Sequence, residues 1–258
     1  MKKIIRLIKE FFYALRFYKN SWTYFFDRVG FFNRGFITLR LWGGAKYKIH
    51  AGTNEIRMFN EIWHWGIYDP LLKYVRDGGT IVDIGANIGI FTIRAARQFP
   101  KSKVISYEPL QENFRLLKEN IDFNNLRERV VPINLAVAGG KGEVDFFIHN
   151  QDSGGGSIYR HGDDETIKLV KVKTVSLVDV FESNGITECD FMKMDCEGSE
   201  EEILYNAPSD IIRKIRNLTI EWHDDLSKLG FKKFERFLIN NGYQVNFDKK
   251  TGTLYARQ

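Results

Sequence analysis

The chain has 258 residues, enough to bury a sizeable hydrophobic core, and its composition is that of an ordinary globular protein. Its formal net charge is +5 and its pI is about 9.0, with basic residues dispersed along the chain. No apolar run approaches the roughly 20 residues that span a bilayer, so the sequence predicts no membrane-spanning helix. The two cysteines, Cys189 and Cys196, fit neither a zinc site nor a disulfide framework, which predicts a reducing, cytoplasmic environment.

The first 19 residues predict a basic amphipathic helix. Apolar residues recur at helical spacing, and lysine and arginine residues recur through the same segment. Such a helix can lie in a membrane interface, with its aromatic rings at the acyl boundary and its basic side chains near lipid headgroups. The segment has no small-residue cleavage site, unlike a signal peptide. Two interpretations stay open: peripheral contact with the inner face of a membrane, and packing on the main domain or a second subunit.

The following residues predict a hairpin and helices. Apolar and polar residues alternate over 36–50, on both sides of Gly43-Gly44, which is typical of a β-hairpin. Residues 54–74 have a helical pattern with breaks near Gly66 and at Asp69-Pro70. We therefore expect an N-terminal helical and hairpin extension over residues 1–75 and a larger domain over residues 76–258.

The larger domain begins with a short β-branched strand at residues 80–82. Asp83 follows it, then a turn that contains Gly85 and Gly89, then a helical pattern over 91–98. Strand, glycine turn and helix in this order form the ligand-approach corner of a doubly wound α/β sheet. The spacing differs from the G-x-G-x-x-G of dinucleotide folds. The glycines let the backbone approach a flat ligand, and the acid can accept a hydrogen bond from a ligand amine.

A second strand, predicted at 103–107, ends in Glu108-Pro109. Glu108 follows Asp83 by 25 residues, about one βαβ repeat. An acid at the end of the second strand is where nucleotide-binding folds hold ribose hydroxyls, because a carboxylate accepts two hydrogen bonds from a vicinal diol. The spacing favours this role over that of an ordinary surface glutamate.

The rest of the chain alternates between strands and helices. Strands are predicted at 130–134, 190–194 and 218–220, a closing hairpin at 243–247 and 253–256, and helices at 111–124, 176–183 and 231–240. Alternating segments at 143–148 and 168–174 flank a glycine-serine loop, 152–160, which is either a lid over substrate or a hairpin tip. Acid-rich segments follow the strands that end near 194 and 220. They should face the same crevice as Asp83 and Glu108, because ligands of parallel sheets lie beyond the carboxyl ends of the strands.

Four separated motifs occur at these strand ends. They are V-D-I-G-A-N-I-G at 82–89, E-P at 108–109, K-M-D-C-E-G-S-E at 193–200 and E-W-H at 221–223. With them, residues 75–225 resemble the FkbM family of methyltransferases, whereas residues 1–50 lie outside the resemblance. The resemblance implies the class I methyltransferase fold, an α/β doubly wound, seven-stranded, mostly parallel sheet with helices on both faces. It also implies S-adenosylmethionine as donor and O-methylation of a saccharide, glycolipid or related natural product.

Carried over by position, the resemblance assigns a set of donor-binding residues. The glycine turn would line the methionine end of the donor, Glu108 would hold the ribose, and the loop after the third strand would lie near the adenine. The full set is Asp83, Gly85, Ala86, Asn87, Gly89, Thr92, Glu108, Pro109, Asn134 and Ala136. The family's Asp-x-Glu-Gly motif is matched by residues 195–198, with Cys196 at its second position, where we expect the side chain to point into the sheet.

Methyl transfer to an alcohol requires removal of a proton, and a nearby carboxylate or imidazole can accept it. Asp195 and His223 are the candidate bases, with Glu197 and Glu221 as supporting groups. The same four side chains have the oxygen and imidazole donors of a divalent-metal site. A hydrogen-bonded network that orients the base is favoured over a metal.

Two other functions stay open at this point. N-methylation, including that of RNA, is compatible with the pI. The chain has no Asn/Asp-Pro-Pro-Tyr/Phe motif and no strand that resembles an aromatic RNA platform, so nucleic acid is not favoured. A non-catalytic binding protein with the same fold is the second alternative. The intact glycine turn and both strand-end acids argue against it.

Overall fold

The computed structural model describes residues 11–32, 34–149, 156–157, 167–223, 226–227 and 229–258. The first ten residues of the predicted amphipathic helix and most of the loop 152–160 lie outside these residues. Across the described ranges, no helix is long and apolar enough to cross a membrane.

The chain forms thirteen strands and ten helices within its described residues. The strands are β1 (Phe36–Arg40), β2 (Lys46–His50), β3 (Thr80–Ile84), β4 (Lys103–Tyr107), β5 (Val130–Ile133), β6 (Ala136–Val137), β7 (Gly142–His149), β8 (Gly156–Ser157), β9 (Ile167–Val175), β10 (Phe191–Met194), β11 (Asn217–Glu221), β12 (Gln244–Asp248) and β13 (Thr253–Arg257). The helices are α1 (residues 11–17), α2 (Ser21–Arg28), α3 (Glu55–Trp63), α4 (Asp69–Leu72), α5 (Ile90–Gln98), α6 (Gln111–Phe123), α7 (Leu177–Asn184), α8 (Glu200–Tyr205), α9 (Ser209–Ile212) and α10 (Phe231–Asn240).

A seven-stranded sheet with the order β12-β13-β11-β10-β3-β4-β5 forms the centre of the molecule. The pairs from β11 through β5 are parallel, and β13 is antiparallel to both of its neighbours. The strand order reverses between β3 and β10, which makes their carboxyl ends the point where such sheets bind ligands. The predicted doubly wound, mostly parallel sheet and its closing hairpin are confirmed.

The two faces of this sheet are covered by separate hydrophobic clusters. Successive residues of β3 alternate between them: Ile81 belongs to one cluster and Val82 to the other. This follows from the two-residue period of a strand and from apolar side chains on both faces, as a buried parallel sheet requires. The first cluster contains α5, α6 and the N-terminal segment, and the second contains α7 to α10.

The N-terminal segment packs on the first face of the sheet through hydrogen bonds as well as through hydrophobic contacts. The predicted hairpin is present as β1–β2. Asn120 of α6 and Asn124, which follows the helix, bind the free edge of β2. Asn120 hydrogen-bonds to the backbone of Lys48 at 2.6 and 3.0 Å, and Asn124 to that of Lys46 at 3.0 and 2.7 Å. These side-chain amides supply hydrogen-bond partners for backbone N–H and C=O groups of β2 that would otherwise be buried without one. A domain division near residue 75 stays a prediction.

A smaller sheet with the order β6-β9-β7-β8 extends from the end of β5. Its main component is the antiparallel hairpin of β7 and β9, which the alternation at 143–148 and 168–174 predicted. Helices α2, α8 and α9 were not anticipated from the sequence. Each is short, so its pattern is too brief to distinguish it from a loop.

Candidate active site

A crevice opens at the carboxyl ends of β3, β4 and β10, where the strand order reverses. It holds about 630 Å³ of space between atoms, counting the part open to solvent. We call it the strand-end crevice. Residues that define it are Met58, Gly85, Asn87, Glu108, Pro109, Leu135, Ala136, Val137, Phe146, Asp195, Cys196 and Glu197.

The turn after β3 needs glycine at position 85. Gly85 has φ +77°, and a Cβ there would overlap the backbone carbonyl oxygen of Asp195. The amides of Gly85 and Ala86 donate to the carbonyl of Tyr107 at 3.1 and 2.9 Å. The turn is therefore fixed between the ends of β4 and β10, where its backbone forms the crevice wall.

Glu108 is buried in the strand-end crevice and is held by two backbone amides. Its Oε2 accepts from the amide of Asn87 at 2.8 Å, and its Oε1 accepts from that of Leu110 at 2.9 Å. Burial raises the pKa of Glu108 to about 7, although these two hydrogen bonds act in the opposite direction. Each carboxylate oxygen can accept a further hydrogen bond. The residue can therefore bind a vicinal diol while it keeps both backbone hydrogen bonds.

A buried lysine joins the acids of β3 and β10. The ammonium of Lys193 donates to the carbonyl of Gly85 at 2.7 Å and lies 3.3 Å from both Asp83 Oδ1 and Asp195 Oδ2. The other oxygen of Asp83 accepts from the hydroxyl of Thr92 at 2.6 Å. Asp83 is fully buried behind the glycine turn, with one oxygen hydrogen-bonded to Thr92 and the other facing the Lys193 ammonium.

A second cavity, the acid-rich pocket, adjoins the strand-end crevice. It is defined by Asn54, Arg57, Met58, Glu61, Ile62, Ile67, Tyr68, Asp195, Glu197 and Glu221. Met58, Asp195 and Glu197 line both cavities and therefore form a wall that the two share. A ligand in one cavity would meet a ligand in the other at this wall.

The carboxylates around the shared wall perturb one another. Repulsion from Asp195, together with burial, raises the pKa of Glu221 to about 8. Burial would lower the pKa of His223, but Glu200, Glu197 and neighbouring acids outweigh it and raise the pKa above its ordinary value. His223 Nε2 lies 3.4 Å from Glu197 Oε2, and its Nδ1 lies 3.8 Å from Glu200 Oε1. The protonation states of these groups are therefore coupled to one another.

Three of these groups are close enough to share a cation. One donor atom from each of Asp195, Glu197 and His223 lies within 4.8 Å of the other two. Two carboxylate oxygens and an imidazole nitrogen are a donor set that suits a divalent metal. The same distances also suit a hydrogen-bonded network of two acids and an imidazole.

The structure places the predicted residues at one end of the sheet, but only some of them line a cavity. Gly85, Asn87, Glu108, Pro109 and Ala136 line the strand-end crevice. Asp83, Ala86 and Thr92 are buried, and Gly89, with φ +89°, immediately precedes α5. The Asn134 side chain donates to the carbonyls of Glu108 and Pro109 at 2.8 and 2.9 Å, so it anchors that loop. His223 contacts the shared wall through Glu197.

Sequence reasoning missed the residues that α3 and its surroundings contribute. Met58 and Glu61 both line the acid-rich pocket, and their three-residue spacing places them on one face of the helix. Tyr68, next to α4, is fully buried there. The spacing was visible in the sequence, but a methionine and a glutamate on one helix face are ordinary. Nothing local indicates that this face meets β10 and β11.

A profile of the family described as the Methyltransferase FkbM domain matches residues 83–245, more than half of the chain. The chain belongs to the FkbM methyltransferase family. One relative is the 31-O-demethyl-FK506 methyltransferase FkbM of Streptomyces tacrolimicus, 25% identical over 75% of this chain and 84% of that protein. Another is the hexuronic acid methyltransferase AglP of Haloferax volcanii, 24% identical over 69% of this chain and 73% of AglP.

Among solved structures, TrmK of M. capricolum in complex with S-adenosyl-homocysteine aligns with a TM-score of 0.44 at 12% identity. The alignment covers 76% of this chain and 67% of TrmK. The seven-stranded sheet, parallel from β11 through β5 and with β13 antiparallel to its neighbours, is the class I methyltransferase fold expected of an FkbM protein. The FkbM match begins at Asp83 and includes Glu108, Asp195 and His223. It leaves out the face of α3 that lines the acid-rich pocket.

Proposed function

We propose that this FkbM methyltransferase uses S-adenosylmethionine to methylate a hydroxyl of a saccharide, glycolipid or related natural product. The observation that carries the proposal is the wall of Met58, Asp195 and Glu197 shared by the two cavities. Donor and acceptor must react at close range and in line, and adjoining cavities with a common wall provide such a position.

The strand-end crevice suits S-adenosylmethionine. Glu108 has acceptor capacity left for the ribose hydroxyls, and the side chains of Leu135, Val137 and Phe146 supply apolar surface for a flat base. The backbone at Gly85 comes close because no side chain intervenes. S-adenosylmethionine would supply the electrophilic methyl group. The predicted donor-binding residues that do not line the crevice would support its walls from the protein interior. Asp83 and Thr92 would do so by ordering the glycine turn.

The acid-rich pocket suits an acceptor that carries several hydroxyl groups. Glu61, Asp195, Glu197 and Glu221 can all accept hydrogen bonds from hydroxyls, and Arg57 can donate to a carboxylate or ring oxygen. The names of the two relatives support this choice, since one specifies an oxygen position and the other a hexuronic acid. The wall from α3 lies before the family match, so acceptor selection would depend on residues outside it.

Asp195 is the proposed base. It lines both cavities, so its carboxylate can take the hydroxyl proton where the acceptor oxygen meets the methyl group. Lys193 holds it in place at 3.3 Å. His223 is the less suitable base, because its raised pKa keeps more of the imidazole protonated near neutral pH. We assign His223 and Glu197 to orienting the shared wall, with Glu221 in the acceptor's hydrogen-bonding set.

A divalent metal is the second candidate for activating the hydroxyl. Asp195, Glu197 and His223 would hold it, and it would lower the pKa of a bound hydroxyl. We favour the metal-free network, in which the same carboxylates bind hydroxyls directly. Activity that is lost with a chelator and restored by Mg²⁺ or Mn²⁺ would decide for the metal.

The proposal is tested by incubating the full chain with S-adenosylmethionine and separate pools of oligosaccharides, lipid-linked saccharides and RNA. We expect a mass increase of one methylene in a saccharide product, as a base-stable methyl ether, together with S-adenosylhomocysteine. Methylation of RNA, or of an amine, would favour the N-methyltransferase alternative. Donor binding without transfer to any pool would favour a non-catalytic binding protein.

A further inference from the structure

The N-terminal helices expose a continuous row of aromatic rings. Phe12 is 66% exposed, Trp22 58% and Phe31 71%. Their rings are linked through two neighbours: Phe12 to Phe11 at 6.2 Å, Phe11 to Trp22 at 4.9 Å, Trp22 to Phe26 at 5.9 Å and Phe26 to Phe31 at 5.4 Å between centroids. We call these five residues the aromatic row. Soluble proteins seldom expose large apolar side chains in one contiguous group without a binding role.

The same segment is strongly basic. Residues 11–54 contain seven basic residues and one acid, whereas residues 55–258 contain 27 basic and 31 acidic residues. The one acid, Asp27, is buried and accepts a hydrogen bond from the amide of Gly52 at 2.7 Å. The basic residues are Arg16, Lys19, Arg28, Arg34, Arg40, Lys46 and Lys48. The charge excess of the whole protein therefore lies in the segment that carries the aromatic row. Arg16, Lys19, Arg28 and Arg34 lie within four residues of a member of the row in the chain, and we call these four the basic border.

We propose that the aromatic row and its basic border form a binding surface for an anionic phospholipid bilayer. Aromatic rings are favoured at the boundary between headgroups and acyl chains, and lysine and arginine are attracted to anionic headgroups. This surface includes α2 and the turn after it, whereas the amphipathic pattern predicted contact through residues 1–19 alone. The aromatic and basic side chains that form this surface all lie from Phe11 onward.

Charge favours a bilayer over a second copy of the chain. A symmetric dimer through this surface would place two basic segments face to face, because the same patch is used on both subunits. Like charges brought together in this way oppose association. An anionic bilayer instead supplies an apolar phase for the rings and opposite charge for their border.

The surface is physically connected to the acid-rich pocket through α3. Met58 and Glu61 of α3 line the pocket, and Phe59 of the same helix packs against Tyr18 at 5.7 Å and Tyr47 at 5.0 Å. These tyrosines belong to the layer that supports α2 and the hairpin β1–β2. Membrane binding through the row does not depend on the proposed function. If both hold, the acceptor pocket would be kept near lipid-linked molecules.

The test is flotation of the full chain with vesicles of phosphatidylcholine alone and of phosphatidylcholine with 30% phosphatidylglycerol. We expect binding to the anionic vesicles, at least tenfold weaker binding to the neutral ones, and weakening by salt. The variant Trp22→Ser/Phe31→Ser should lose at least tenfold in partitioning. The control Leu169→Ser/Ile239→Ser, at two apolar positions that are each 53% exposed and lie outside the row, should stay within about twofold of the parent chain.

Charge is tested separately with Lys19→Glu/Arg34→Glu, which leaves the rings intact and should abolish the preference for anionic vesicles. Absence of binding to either vesicle would overturn the proposal, as would equal loss in the control variant. Light scattering tests the alternative that a second copy of the chain covers the row. A dimer that dissociates in Trp22→Ser/Phe31→Ser, with no vesicle binding, would show that a second copy covers the row.

Discussion

Lys193 and Asp83 are directly paired residues on β10 and β3, and the lysine ammonium lies 3.3 Å from the aspartate Oδ1. The same ammonium lies 3.3 Å from Asp195 and donates to the carbonyl of Gly85. Burial would lower the pKa of Lys193, but the two aspartates outweigh it and keep the pKa above its ordinary value. One buried cation thus joins the strand ends on which both cavities depend.

Replacing this cation should destabilise the fold. Lys193→Met leaves the fully buried Asp83 carboxylate beside Asp195 without compensation, and breaking a buried pair in this way costs about 3–5 kcal/mol. Urea denaturation at pH 7 measures the loss. Lys232→Met, at an exposed position on α10, should change the free energy of unfolding by less than about 0.5 kcal/mol. Equal stability of the two variants would show that the buried contacts contribute little.

Gly85→Ala should abolish donor binding and lower stability. The added methyl group would overlap the carbonyl oxygen of Asp195, at a residue whose φ of +77° already disfavours a side chain. Gly43→Ala is the matched control, because its Cβ would meet nothing within 4 Å and its φ is not in the left-handed region. Thermal unfolding and S-adenosylhomocysteine titration of both variants check this. Donor binding by Gly85→Ala at parental affinity would contradict the account of the turn.

Much of the sheet and of the strand-end crevice could be predicted from local signals. β3, β4, β10 and β11 are short apolar runs that each lead into a chemically distinctive residue or motif, and parallel sheets bring such ends together. Asp83, Glu108 and Asp195 were found in this way. Glycine in the turn was also predictable, although its cause, the carbonyl of Asp195, depends on how the strands are placed.

The acid-rich pocket could not be predicted, because it depends on long-range packing. Met58 and Glu61 reach the site only because the fold places α3 across one cavity from Asp195, more than 130 residues later in the chain. Lys193 was seen near the acids in sequence, but its burial and its pairing with Asp83 follow from the register of β10 on β3. No local pattern fixes that register.

Glu108 should make stability fall as pH rises. Its pKa is raised by burial from the ordinary 4.5 to about 7 in the folded state, so the folded chain holds a proton that the unfolded chain releases. This contribution is complete below pH 4.5 and is lost as the pH rises through 7, at most about 3 kcal/mol in all. Urea unfolding of the parent and of Glu108→Gln at pH 5, 6, 7 and 8 measures it.

The relevant quantity is the slope of stability against pH, since glutamine also loses one backbone hydrogen bond at every pH. The slope between pH 5 and 8 should be more negative for the parent than for Glu108→Gln. Parallel slopes would mean that Glu108 titrates normally in the folded state.

Asp195→Asn should lower kcat by about 10²–10⁴-fold, the usual contribution of a positioned base, while S-adenosylhomocysteine still binds. Asp210→Asn, at a position whose side chain is 74% exposed, should leave kcat unchanged. His223→Gln should lower kcat less than about tenfold, since it acts by orienting Glu197 rather than by accepting the proton.

The pH dependence of kcat distinguishes the two candidate bases. If His223 accepted the proton, kcat would rise with pH through a pKa above 6.5, and His223→Gln would remove that rise. We expect His223→Gln to keep the parental profile. A profile that loses its rise only in this variant would assign the base to His223.

The proposed function rests on one claim: the strand-end crevice holds S-adenosylmethionine with Glu108 on its ribose. Calorimetric titration of the full chain with S-adenosylhomocysteine tests it most directly. We predict saturable one-to-one binding to the parent, loss of at least tenfold in affinity in Glu108→Ala, and unchanged affinity in the exposed control Asp210→Asn. No binding to the intact parent chain, or equal affinity of the parent and Glu108→Ala, would contradict the claim.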